Sequence, residues 1–161
     1  MFAGKATAQQ RAETPLQFKD VEVEGIKFSW RFASGRLFCQ LEAPTTGWVA
    51  MGFNTRPGLA GTHLVMAAVV DGNVFVDDLY IVGPGDPRRI EALGGALDLQ
   101  EVDGNETHQS TRISFSIPVA PTDNWRKKLT AGVTYDLLLA YSTHDAFEHH
   151  SRIRRHIKVV L

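Results

Sequence analysis

An all-β fold, an antiparallel immunoglobulin-like β-sandwich of about eight to eleven strands, is what this chain predicts. Three observations carry that expectation. Apolar and polar residues alternate in short runs, turn chemistry interrupts those runs at short intervals, and no long amphipathic helical period occurs anywhere. At 161 residues, 43% hydrophobic and 22% charged, the chain is of a size that usually builds one domain with a proper core.

The first fifteen residues, MFAGKATAQQRAETP, lack the basic-then-apolar order of an export signal and read as a flexible leader. Residues 16–161 then form the single expected domain. A formal net charge of −1 argues against nucleic acid as an obligatory partner, and no apolar run is long enough to span a bilayer.

The strands follow in order. Phe28, Trp30 and Phe32 alternate with Lys27, Ser29 and Arg31, the pattern of a half-buried strand; Ser34-Gly35 turns the chain, and Arg36–Glu42 alternates again. Trp48–Phe53 follows the break at Pro44–Gly47, whereas Asn54–Gly61, with its proline and two glycines, is a loop. His63–Val70 is continuously apolar, which fits a strand covered on both faces, and Asp71-Gly72 matches a two-residue hairpin turn into Asn73–Val82.

Gly83–Gly95 reads as irregular, and Ala96–Val102 as an edge strand ending in a turn at Asp103-Gly104-Asn105. Thr111–Val119 presents Ile113, Phe115 and Ile117 to the core. In Pro118–Lys128, Thr122 or Asp123 is placed to cap a short helical turn. Thr134–Tyr141 is a central strand, and Ile153, Ile157, Val159 and Leu161 mark one face of the last.

The chemistry concentrates in Tyr141–Leu161, which holds four of the six histidines. His144, Asp145, Glu148, His149 and His150 are close in sequence but do not form HExxH, and no third well-spaced ligand supports a zinc site. The single cysteine, Cys39, excludes an internal disulfide framework and reads as a buried, inert thiol. No GxSxG supports nucleophilic catalysis, and the neighbouring Asp77 and Asp78 project to opposite faces of a strand rather than forming a dyad. One imidazole from the His-rich loop, opposed by a residue from elsewhere, suits haem; without CxxCH it would be held noncovalently, as haem b.

Taken together, Gly47-Trp48-Val49-Ala50-Met51-Gly52-Phe53-Asn54, Leu59-Ala60-Gly61-Thr62 before His63–Val70, Asp71-Gly72 with Val76-Asp77-Asp78, Ile113–Val119 followed by Asp123, and the His-Ser-Arg run entering the last strand resemble a DOMON domain. The resemblance spans about Phe18 to Leu161. It implies a module that passes electrons or senses redox state or ligand through haem, usually beside a separate catalytic domain or redox partner, and located in a periplasm or outside the cell. In haem-binding members a histidine just before the terminal strand and a methionine after the Gly-Trp strand ligate the iron.

His150 is similar in position to that histidine, with His149 its neighbour, but the methionine position falls on Leu59, which cannot ligate. His63 is the expected replacement and Met66 the alternate, on opposite faces of one strand. Arg152, Arg154 and Arg155 are cations available to carboxylates such as haem propionates. The departure at Leu59 also leaves a haem-free module open, one that binds a sugar or another small molecule or mediates protein interaction, with Trp48 or Trp125 as a stacking surface.

Overall fold

A computed structural model describes residues 17–161; the expected leader lies outside the described residues. Among the described residues, eleven strands make up two antiparallel sheets. The first sheet is built from β1 (Lys19–Val23), β2 (Ile26–Ala33), β3 (Arg36–Ala43), β8 (Gln100–Glu106) and β9 (Thr111–Pro118), in the order β1-β2-β3-β9-β8. The second contains β4 (Val49–Asn54), β5 (His63–Val70), β6 (Asn73–Gly83), β7 (Asp86–Arg89), β10 (Thr134–Tyr141) and β11 (Ile153–Val160), in the order β11-β10-β4-β5-β6-β7.

Between the sheets lies a core set by strand alternation. Phe28 and Trp30 of β2, Leu37, Cys39 and Leu41 of β3, and Ile113, Phe115 and Ile117 of β9 face Met51, Phe53, Val65, Ala67, Leu137 and Leu139 of the second sheet. Burying a large apolar side chain contributes about 1.5–3 kcal/mol. The Phe28 and Trp30 rings stack at 5.4 Å, and Phe53 meets Phe28 edge-on at 6.0 Å, adding about 0.5–1.5 kcal/mol per pair. Burial pushes the Cys39 thiol pKa up, which leaves it a small core hydrophobe.

Three local expectations are corrected. Asp103-Gly104-Asn105 is not a turn: β8 runs through it to Glu106, with Gly104 opposite Ile113. Gly104 is there for space, because a Cβ would meet the Val74 side chain at 2.9 Å. The irregular stretch Gly83–Gly95 holds the short β7 and a 3-10 turn, Glu91–Leu93. Pro118–Lys128 contains no helix, although Asp123 Oδ1 accepts from the backbone N–H groups of Trp125 at 2.9 Å and Arg126 at 2.8 Å. The capping chemistry is used there to fold a loop.

The two sheets differ on their outer faces. The five-stranded sheet carries polar residues outward, such as Arg31, Gln40 and Arg112, as a sandwich in water should. The six-stranded sheet instead buries a second apolar cluster outside the sandwich: Trp48, Ala50, Leu64, Met66, Ala68, Leu79, Ile81, Leu138 and Ala140. Both faces of β4 and β5 are therefore covered, and whatever covers the outer one defines the site.

Candidate functional site

The outer cover is the loop between β10 and β11, residues 142–152, and its root is bolted to the chain entering β4. Thr45 Oγ1 donates to Ser142 O at 2.6 Å, Trp48 N to His144 O at 2.9 Å, and Ser142 N to Trp48 O at 2.9 Å. Gly47 permits this approach, since a Cβ there would collide with the Ser142, Thr143 and His144 backbone, meeting the Thr143 carbonyl carbon at 2.6 Å. From this root the loop passes over the sheet and lays Phe147 against the outer apolar cluster.

A cleft of about 350 Å³ opens beneath the loop, at the lower end of the ~300–1,000 Å³ typical of small-molecule sites. Trp48, Ala50, Leu64, Met66, Leu138 and Ala140 floor it, Leu59, Ile81 and Phe147 form walls, and His149, His150 and Arg154 stand at its margin. Met66 is 7% exposed, whereas both histidines are exposed. The indole N–H of Trp48 is buried without a hydrogen-bond partner. A thioether, imidazoles and a guanidinium thus share one apolar cleft, a donor set that fits a planar iron cofactor with acidic side groups.

His63 is elsewhere, and the expectation that it stands opposite His150 is corrected. It projects to the inner face with Val65, Ala67 and Val69, is 2% exposed, and its Nε2 lies 2.6 Å from Asp78 Oδ1. Met66, the alternate, takes the cleft side instead. Arg152 does not line the cleft; its backbone N–H donates to Tyr141 O at 2.8 Å. Arg155 also faces away and pairs with Glu24 at 2.8 Å.

His63 belongs to a buried charge cluster. Arg126, unmarked in the sequence, sends one guanidinium nitrogen to Asp78 Oδ2 at 2.5 Å and to Ala96 O at 2.7 Å, and another to Asp123. Burial alone would raise the Asp78 pKa, but His63 and Arg126 outweigh it and hold it below the usual carboxylate range. Burial is likewise outweighed at Asp123 by the Arg126 and Trp125 N–H groups and the Arg126 guanidinium. Asp77, on the opposite face, pairs with Arg89 at 2.9 Å.

Carboxyls with depressed pKa values stabilise the fold above their unfolded pKa, near 4, and lose that contribution as pH falls through the folded values. Urea midpoints are accordingly expected to hold from pH 7 to about 5 and to fall below about pH 4. Asp78→Asn should flatten part of that fall; an unchanged profile in this variant would show that the cluster does not drive it.

The arrangement is that of a small two-sheet β-module with an apolar cleft outside its six-stranded sheet, roofed by a histidine loop. The sequence profile of the DOMON domain matches residues 22–142, and the chain belongs to that family. The match ends at Ser142, before His149 and His150. Among solved structures, the cytochrome b domain of pyranose dehydrogenase from Coprinopsis cinerea superposes with a TM-score of 0.69 at 12% identity, over 88% of this chain and 80% of that one. The cytochrome domain of Myriococcum thermophilum cellobiose dehydrogenase gives 0.62 at 11% identity, over 88% and 77%.

At these identities the likeness is one of fold. DBH-like monooxygenase protein 2 of Mus musculus is 31% identical over 121 residues, 74% of this chain but 19% of that protein. The described residues include no helix long and apolar enough to cross a membrane.

Proposed function

We propose that the cleft holds haem b noncovalently and that the module transfers electrons or senses redox state or ligand. One observation carries this reading: Met66 on the floor and His149 and His150 at the margin of a single apolar cleft, a thioether and imidazoles of the kind that haem iron takes as axial ligands. His150, or His149 beside it, supplies the imidazole, and Met66 supplies the sulfur that Leu59 lacks. Arg154 serves the propionates, and the apolar walls exclude water. Bound haem supplies one-electron chemistry; the protein sets its ligands, its burial and its access. An exported location and a separate redox partner belong to the same reading, by analogy with the cytochrome domains of similar fold.

Hemin added to the purified protein should produce a sharpened Soret band that is lost when His149 and His150 are both replaced by alanine. Met66→Ala should retain haem but alter the visible bands through loss of the sulfur ligand. A featureless hemin spectrum in the wild type, or a band indifferent to the double replacement, would sink the proposal.

Leu59 favours a second reading, in which the cleft takes a sugar or another small molecule without haem. Colourless protein from haem-supplemented cells together with saturable binding in a glycan screen would support it.

A further inference from the structure

The cleft is margined by two adjacent histidines, but they are not equivalently held. His149 stacks on His144, with ring centroids 4.0 Å apart and planes 16° from parallel. Its backbone N–H also donates to Ala146 O at 3.1 Å, closing a turn. His144 is fixed in its own right: its N–H donates to Ser142 Oγ at 3.2 Å and its carbonyl accepts from Trp48 N at 2.9 Å. A continuous line of contact therefore runs from Trp48, which floors the cleft at the entrance to β4, through His144 to the His149 ring.

Imidazole ligates through a lone pair in the plane of its ring, and stacking covers only the faces. A stacked imidazole thus keeps both nitrogens free while losing rotational freedom, as a preorganised ligand requires. On the haem reading above, on which this inference rests, we infer that His144 is a positioning residue that holds His149 as the ligating imidazole. His150, which the family resemblance singles out by position, is then its neighbour at the margin.

Outer partners that orient a metal-bound histidine typically contribute about 10–100-fold to metal affinity. Hemin titrations followed by the Soret band should give loss of the sharpened band for His149→Ala, its retention with at most a smaller loss of affinity for His150→Ala, and roughly tenfold weaker binding for His144→Ala. His144→Phe, which preserves a stacking face without a nitrogen, should restore the affinity. In the protein without haem, the His149 ring-proton shifts should move in His144→Ala and return toward wild type in His144→Phe.

These are exposed loop positions, so thermal melts should not change. Loss of the band in His150→Ala with retention in His149→Ala would overturn the assignment. A silent His144→Ala, or failure of His144→Phe to restore binding, would overturn the positioning role. Absence of a Soret change in the wild type is a separate outcome, which removes the haem reading and this inference with it.

Discussion

Replacing Arg126 with methionine should destabilise the protein by about 3–5 kcal/mol, because Asp78 and Asp123 would then lie buried without their shared cation. For a domain of this size that corresponds to a fall in Tm of roughly 10 °C. Urea unfolding of Arg126→Met measures it directly. Lysine should not rescue, since a single ammonium cannot reproduce the forked contacts to Asp78, Asp123 and Ala96 O.

The sharper comparison replaces Asp78, Asp123 and Arg126 together with apolar residues of similar volume. Buried ion clusters repay their desolvation poorly, so the triple variant should be less destabilised than Arg126→Met alone. A single-variant cost below 1 kcal/mol would mean that water reaches these carboxylates, contrary to their exposures of 7–8%.

Gly47→Ala should cost about 2–3 kcal/mol, at the upper part of the range for overpacking, because the added methyl meets backbone rather than a side chain able to swing away. It should also weaken ligand binding, for a specific reason. The backbone it would displace, Ser142–His144, is the root of the loop that carries His149 and His150 over the cleft. Chemical denaturation and hemin titration of the same variant test both effects. Normal stability with normal binding would show that the loop root tolerates a shift without moving the histidines.

Much of the fold was legible because alternation reports burial. Phe28, Trp30, Ile113 and Phe115 face the core as their period of two requires. The hairpin at Asp71-Gly72 follows from turn chemistry, and both residues have positive φ there. Gly104 misled because a glycine required for packing space looks the same in a sequence as one required for a turn.

The site was less legible, and β5 shows why. Parity separates His63 from Met66, but in a strand apolar at both parities it does not say which set faces the partner sheet and which the cleft. Only the neighbouring strands settle that, through the pairing of Met66 with Ala50 on β4 and with Asp77 on β6. Arg126 gave no signal, since an arginine in a polar loop is ordinarily solvated. The available hint of the cleft was that β4, β5 and β10 all carry apolar residues on both faces, more than a sandwich core needs.

That doubly apolar sheet has a consequence for how the protein can change. Core and cleft are written on alternate residues of the same strands, so substitutions adjust either one independently, whereas a one-residue insertion or deletion in β4, β5 or β10 exchanges the two sets at once. Phe53 and Val65 would be carried to the cleft, and residues such as Met66 and Trp48 to the interior. A change of strand length should therefore be tolerated better at the edges, β1, β7, β8 and β11, than in the three central strands, which can change in identity but not in count.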